Sequence, residues 1–179
     1  MKKLFTFVFC LVLLISGQVF ADLTVIGTAT YEGVNYNLIY EDDSIDGGLV
    51  WLDYKNSGNW TAQNTWATNL GASLTINLTP GYTTSIVWTT GWRLPETQQK
   101  NSGYNIAGSE MGHLYYVSLK GIVTPFTNIP ISMYWSATAC DGAVGRYWVF
   151  SFDTGNQGGR DKSFNGMAIA VIEGTVTVP

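Results

Sequence analysis

Hydrophobic and polar residues alternate in the opening third of the chain, at residues 23–29 and 36–40. These segments are rich in threonine, valine, isoleucine and tyrosine, and the alternation predicts half-buried β-strands. Glu32 and Gly33 between them predict the turn of a hairpin. After a polar loop at residues 41–48, the apolar run Leu49–Leu52 predicts a third strand. The opening third is therefore expected to form a small meander.

Helical spacing replaces alternation at residues 61–70. Gln63, Trp66, Ala67 and Leu70 recur at this spacing. Gly71 follows where a helix stop is expected. Either Asn59 or Thr61 is expected to cap the start, because both side chains accept hydrogen bonds from free backbone N–H groups.

A second helix is predicted at residues 109–120. Its apolar stripe consists of Met111, Leu114, Tyr115 and Leu119. Ser109 is the expected N-cap, and Lys120 with Gly121 forms the expected C-terminal end.

The rest of the chain favours short strands. Residues 74–79 alternate briefly, and three further aromatic or β-branched segments predict strands at residues 134–138, 147–152 and 167–172. Polar, glycine-rich loops separate these last strands. Strands first, two helices in the middle and strands last indicate the α+β class.

Residues 1–21 form a secretory signal pattern. Lys2 and Lys3 precede an apolar run at residues 4–15, and the small-residue exit ends at Ala21. The apolar run is shorter than the roughly 20 residues that a spanning helix needs, so cleavage is favoured over an uncleaved anchor. The expected product is a single domain of residues 22–179 without a membrane span, located in the cell envelope or secreted.

Loss of the leader changes the charge and the cysteine count. The whole chain has 9 basic and 13 acidic side chains, a net charge of −4. Without Lys2 and Lys3 the balance is more acidic by two charges, which argues against nucleic acid as a partner. Cys10 also leaves, and Cys140 alone cannot form an internal disulfide. The 7 tryptophans and 10 tyrosines are expected mainly in the core.

Several motifs together resemble one bacterial family. They are GWRLP at 91–95, YWSAT at 134–138, YWVFSF at 147–152 and AIAVI at 168–172. The chain is similar to the Lcl C-terminal domain family, a bacterial domain of unknown function. LTVIGTATY at 23–31 and SEMGHLYY at 109–116 resemble, more closely still, a subgroup of exported members that often end in a PEP-CTERM sorting anchor. The resemblance implies a C-type-lectin-like fold, with a twisted antiparallel sheet and two helices.

Two features depart from that family. The sequence stops at Pro179 without an apolar anchor or basic tail, so the expectation is a soluble protein or a truncated sequence. Residues 168–173 lack the arginine that relatives often have in the last strand, so no role of that arginine is carried over.

Three single residues have more than one interpretation. Arg93 could clamp an anion, but a structural role, bonding backbone carbonyls or a carboxylate, is favoured. His113, the single histidine, is expected to be structural or at the surface, because no orienting partner or nucleophile is evident. Cys140 is a poor nucleophile candidate because its neighbour Asp141 disfavours the thiolate. Lectin-like folds include a formylglycine-generating enzyme family that works through cysteine, but this chain has no matching partner residues.

Acidic residues raise the question of a metal. The loop carboxylates Glu41, Asp42, Asp43 and Asp46 could contribute to a calcium site, but their spacing does not match a calcium loop. A second group, Asp141, Asp153 and Asp161, is spread over loops that the lectin-like fold would bring to one end. The calcium-binding sugar motifs of lectins are absent. The sequence therefore predicts solvated acidic loops, no metal site and no cofactor.

The loops at residues 139–145 and 154–165 are the expected recognition face, because binding residues tend to lie on loops held by a rigid scaffold. The candidate ligand-binding residues are Asp141, Arg146, Asn156, Gln157, Arg160 and Asp161. No catalytic residue is predicted.

The predicted function is that of an exported, non-catalytic binding module. Its expected partner is a glycan, a matrix polymer or a protein. The alternative is a structural or interaction component of the cell envelope or extracellular matrix with no small-ligand site.

Overall fold

The computed structural model describes residues 23–45, 47–98, 100–120, 124–177 and 179. The predicted leader and Asp46 of the acidic loop lie outside this part of the chain. The strands, in chain order, are β1 Leu23–Tyr31, β2 Val34–Glu41, β3 Leu49–Leu52, β4 Asn56–Gly58, β5 Thr75–Leu78, β6 Thr83–Thr84, β7 Met133–Ala139, β8 Arg146–Ser151, β9 Gln157–Asp161, β10 Gly166–Ala168, β11 Val171–Glu173 and β12 Val176–Thr177. The helices are α1 Trp60–Asn69 and α2 Glu110–His113. No helix among the described residues is long and apolar enough to cross a membrane.

The first sheet has the strand order β11-β3-β2-β1-β5, and all its neighbours are antiparallel. The predicted hairpin joins β1 to β2. Its turn residues Glu32 and Gly33 have φ angles of 50° and 80°. Positive φ at two successive turn residues is typical of tight hairpins, because it matches the twist of the strands. The predicted meander is confirmed.

The second sheet has the order β4-β10-β7-β8-β9. Only β10 and β7 are parallel within it, at Met167 and Tyr134. A short ribbon pairs β12 with β6. The described part of the chain is therefore α+β, with mostly antiparallel sheets and two short helices, which confirms the predicted class.

The single strand predicted at residues 167–172 is wrong. This run is divided between β10 in the second sheet and β11 in the first, and Ile169 and Ala170 between them are fully buried. Ala170 still accepts a backbone hydrogen bond from Leu52, at 3.0 Å. A continuous apolar run shows that both sides are buried, but it does not show where the chain passes from one sheet to the other.

The loop predicted at residues 154–165 is also wrong in part, because it contains β9. The adjacent Gly158 and Gly159 suggest a turn, yet both pair with β8, opposite Val149 and Trp148. Pairing with a long aromatic strand outweighs the low strand propensity of glycine.

The first helix confirms one of the two expected caps. Asn59 Oδ1 accepts a hydrogen bond from the N–H of Ala62 at 3.0 Å. Gly71 is not a stop, because the chain continues as a 3₁₀ turn at Leu70–Ser73. A Cβ atom at Gly71 would lie 2.6 Å from the carbonyl oxygen of Thr89, so glycine here permits close backbone approach.

The second predicted helix begins as expected, with Ser109 Oγ accepting from the N–H of Gly112 at 2.9 Å. It is α-helical only to His113 and continues as a π-helical segment at Leu114–Leu119. Lys120 ends it with a left-handed φ of 47°. Met111, Leu114 and Leu119 of the predicted stripe are buried, and Tyr115 is half-buried.

Two hydrophobic clusters lie on opposite sides of the sheets. Successive residues of β7 divide between them, with Trp135 in the first cluster and Tyr134 in the second. In β3, Leu52 belongs to the first and Trp51 to the second. Because neighbouring residues of a strand point to opposite faces, these strands are covered on both sides.

Arg93 has the structural role that the sequence favours. Its guanidinium group binds the carboxylate of buried Glu110 with two hydrogen bonds of 2.7 and 2.8 Å, and it also pairs with Glu173. Its backbone pairs with that of Val171 in both directions. The segment at residues 91–95 is therefore framework, tied to α2 and to β11.

Candidate functional site

The pairing of β8 with β9 builds one face of the second sheet. Tyr147 lies opposite Arg160, and Val149 lies opposite Gly158. Partners directly across a pair of strands share a face. The side chains of Tyr147, Val149 and Arg160 therefore lie on one surface, and Gly158 leaves a gap in it.

A pocket of about 250 Å³ opens on this face. It is lined by Tyr104, Met133, Val149, Ser151, Thr154, Asn156, Gly158 and Arg160. Gly158 contributes no side chain, and a Cβ atom there would have Asn156 Oδ1 and an Arg160 nitrogen as its nearest neighbours, both at 3.8 Å. The space above Gly158 is therefore open, and polar groups stand at its border.

Arg160 is the charged group of the pocket. Its Nη1 donates to the carbonyl oxygen of Gly159 at 3.1 Å, and its Nη2 lies 3.8 Å from the sulfur of Met133. Within the described residues no carboxylate lies at ion-pair distance from it. The guanidinium group is oriented by neutral partners and retains donors for a ligand.

Tyr104 forms an aromatic edge of the pocket and is 63% exposed. The neighbouring Gly103 exchanges two backbone hydrogen bonds with Gln157, of 2.9 and 2.8 Å, which hold this segment against β9. The side chain of Gln157 also donates to the carbonyl oxygen of Asn101 at 3.1 Å. An exposed ring is thus presented on a fixed backbone.

The structure brings two of the six candidate residues together, since Asn156 and Arg160 both line the pocket. Gln157 is buried and anchors the segment carrying Tyr104. Arg146 donates to the carbonyl oxygen of Gly159 at 2.8 Å. Three of the six candidates lie on strands and not on loops: Arg146 begins β8, while Gln157 and Arg160 belong to β9.

The two acidic candidates have local partners. Asp141 pairs with Lys100 at 3.2 Å. Asp161 accepts hydrogen bonds from the hydroxyl and N–H of Ser163, which lower the pKa of its carboxyl group. Asp141, Asp153 and Asp161 do not gather into a group of metal ligands within the described residues.

Sequence reasoning missed most of the pocket. The missed lining residues are Tyr104, Met133, Val149, Ser151, Thr154 and Gly158. Alternation along β8 carries a signal for part of it, because Val149 and Ser151 are two residues apart and share a face. Recognising β9 as a strand would have added Gly158, which lies on the same face as the candidates Asn156 and Arg160 at the same two-residue spacing.

An aromatic stack continues the face beyond the pocket. Trp60 and Tyr147 are nearly parallel, at 14°, with ring centroids 3.5 Å apart. Trp60 also donates from Nε1 to the carbonyl oxygen of Ser136 at 2.9 Å. Tyr147 lies opposite Arg160 on this face but does not line the pocket itself.

A second polar centre surrounds Glu41, which is fully buried rather than part of a solvated loop. Trp51 Nε1 donates to Oε2 at 2.9 Å, while His113 Nδ1 lies 3.1 Å from Oε1. Ser118 donates to the same Oε1. The hydrogen bond to Glu41 raises the pKa of His113, although burial opposes the rise. Sequence reasoning correctly expected a structural environment for His113 but missed this partner.

Among the described residues, no serine or cysteine side chain hydrogen-bonds the imidazole of His113. Ser118 and His113 both bond to Glu41, so the imidazole is not placed to take the serine proton. Burial raises the pKa of Cys140, with Asp141 adding to the rise and Arg146 opposing it. The thiol form of Cys140 is therefore favoured.

No protein-family model matches the chain, and no curated protein matches it either.

Proposed function

We propose that the protein is a non-catalytic binding module that recognises a glycan through the pocket on β8 and β9. The observation that carries the proposal is one recess with an exposed aromatic ring at Tyr104, polar groups at Asn156 and Arg160, and open space above Gly158. A sugar ring has an apolar C–H face that suits an aromatic ring. Its hydroxyl groups suit amide and guanidinium partners.

The scaffold supports binding by a preformed surface. Asn156 directly precedes β9, and Arg160 lies within it. β9 pairs with β8 along its whole length. Side chains on such a strand need little ordering when a ligand arrives, which lowers the cost of binding.

The motifs that resemble the Lcl C-terminal domain family support a C-type-lectin-like assignment for this scaffold. The leader pattern at residues 1–21 supports export to the cell envelope or beyond. Both belong to the proposal. The arrangement of Ser118, His113 and Cys140 favours binding over catalysis, because no activated nucleophile is assembled from them.

The test is a glycan array with the full chain, with and without calcium, followed by titration of the strongest ligand. Asn156→Ala and Tyr104→Ala should each weaken binding about 2- to 10-fold, the loss of one hydrogen bond or ring contact. Gly158→Val should weaken it more than 10-fold by filling the recess. Valine is compatible with a strand, and the nearest atoms to its Cβ are 3.8 Å away.

Asn165→Ala is the matched control, since Asn165 is exposed and does not line the pocket. It should leave binding unchanged. Glycan binding at background level in both conditions would contradict the proposal. Retention of a partner from the envelope fraction in that case would favour the alternative of an interaction component.

A further inference from the structure

Three metal-ligating side chains converge where the end of β2 meets α2. Glu41, Asp43 and His113 each offer one ligand atom, and these atoms lie within 4.8 Å of one another. We propose that this cluster, the Glu41–Asp43–His113 site, binds a divalent transition-metal ion and that Zn²⁺ fits it best. The site is separate from the pocket on β8 and β9 and does not depend on the proposed glycan binding.

The spacing of two ligands already suits a metal. His113 Nδ1 and Glu41 Oε1 are 3.1 Å apart. Nitrogen and oxygen ligands lie about 2.0–2.2 Å from zinc, so two corners of a coordination tetrahedron are about 3.3 Å apart. The ion can therefore bridge Glu41 and His113 after a shift of a few tenths of an ångström. Asp43 is exposed, and rotation of its side chain brings its carboxylate to the ion as the third ligand.

The donor set selects the kind of ion. Calcium and magnesium prefer oxygen ligands alone, whereas imidazole suits zinc and its neighbours. None of the three residues supplies a soft thiolate. One imidazole and two carboxylates leave a fourth position for water.

The buried ligand is held in advance. Glu41 is fully buried, and Trp51 Nε1 donates to its Oε2 at 2.9 Å while Ser118 donates to Oε1. Partners of this kind orient a metal-binding carboxylate and are typical of built sites. Little conformational freedom is lost when an ion arrives.

The turn also holds polar capacity that the described protein groups do not satisfy. Ser44, directly after Asp43, is 6% exposed, and its Oγ has no hydrogen-bond partner among the described residues. Glu41 and Asp43 put two carboxylates beside His113. Buried polar groups without partners are rare in proteins. A hydrated cation would supply a partner for the Ser44 hydroxyl and would offset the negative charge of the carboxylates.

The test uses the single histidine of the chain, whose ring ¹⁵N signals need no assignment. Tag-free, metal-stripped full-length protein is titrated with Zn²⁺ and followed by NMR and calorimetry. We expect one ion per chain and a shift of one ring nitrogen of His113 to a metal-bound value, as its proton leaves to solvent. The unfolding temperature should rise with Zn²⁺ concentration.

The matched pair is Asp43→Asn and Asp42→Asn, since both residues are exposed and each change removes one charge. Asp43→Asn should weaken zinc binding at least 10-fold, while Asp42→Asn should change it less than about 3-fold. His113→Gln should abolish zinc binding, and circular dichroism checks that this variant is folded.

Three results would overturn the proposal. One is an unchanged His113 signal at one equivalent of Zn²⁺. Another is equal weakening by Asp42→Asn and Asp43→Asn, which would indicate diffuse surface charge. The third is binding of Ca²⁺ in place of Zn²⁺ without any effect on the imidazole.

Discussion

Arg93 joins three parts of the fold through one guanidinium group. It pairs with Glu110 at the start of α2 and with Glu173 at the end of β11, and it donates to the carbonyl oxygen of Leu94 at 3.2 Å. Burial opposes its charge, but the hydrogen bonds to Glu110 and Glu173 raise its pKa above the ordinary value. The same Glu110 carboxylate accepts the backbone N–H of Glu96 at 2.6 Å. The ion pair of Arg93 with Glu110 therefore fixes the segment after Trp92.

We expect Arg93→Met to lower the free energy of unfolding by about 3 kcal/mol, because it leaves the Glu110 carboxylate buried without its cation. The expectation lies at the low end of the usual range because Arg93 keeps 18% of its side chain exposed. Urea denaturation measures the loss. Arg146→Met is the control and should cost less than about 1 kcal/mol, since Arg146 is exposed. Equal losses would contradict this role of Arg93.

At the scale of elements, α2 is short, and its position depends on its cap. Ser109 Oγ accepts from Gly112 N–H and donates to the carbonyl oxygen of Ile106 at 3.2 Å. The four residues of α2 include Glu110, which pairs with Arg93, and His113, which pairs with Glu41. The cap therefore sets the position of the framework ion pair and of the histidine together.

Ser109→Ala should destabilise the protein by about 1–2 kcal/mol, because the N–H of Gly112 would remain buried without an acceptor. Ser102→Ala is the control, since Ser102 is exposed, and it should fall within about 0.5 kcal/mol of the wild type. Chemical denaturation compares the two. A Ser109→Ala variant as stable as the control would show that the cap is dispensable.

The elements also show where sequence patterns suffice. The hairpin turn at Glu32 and Gly33 was predictable, because turn chemistry is local. The strand β9 was not, because Gly158 and Gly159 become a strand only by pairing with β8. The same limit applied to residues 167–172, since only tertiary contacts reveal the change of sheet between Ala168 and Val171.

The candidate site was predictable only in part for the same reason. Asn156 and Arg160 carry recognisable polar chemistry in a polar segment, and the structure places both in the pocket. Tyr104 and Met133 lie far from them in the chain and reach the pocket through strand register and the Gly103 bridge to β9. Register depends on the whole sheet, and no local pattern of residues reports it.

At the scale of the whole molecule, the two hydrophobic clusters are joined by shared strands. Ile169 belongs to the second cluster, and the adjacent Ala170 belongs to the first. Tyr134 and Trp135 divide in the same way. Because the two clusters share strands, neither can loosen alone, and we expect the described fold to unfold as one cooperative unit.

Ile169→Ala should therefore lower the free energy of unfolding by about 2–5 kcal/mol, through lost burial and the cavity left behind. Tryptophan fluorescence and far-ultraviolet circular dichroism should report the same shifted midpoint. Ile131→Ala is the control, because Ile131 is 68% exposed, and it should leave the midpoint nearly unchanged. Two separate transitions would contradict a single cooperative unit.

The passage from β10 to β11 has a consequence for synthesis on the ribosome. Residues 166–173 supply an inner strand of the second sheet, between β4 and β7, and the edge strand beside β3 in the first. While a nascent chain lacks these residues, β4 and β7 have no strand to join them and β3 has an open edge. Because the chain is made from its N-terminus, neither sheet can be completed until nearly all the described chain has emerged.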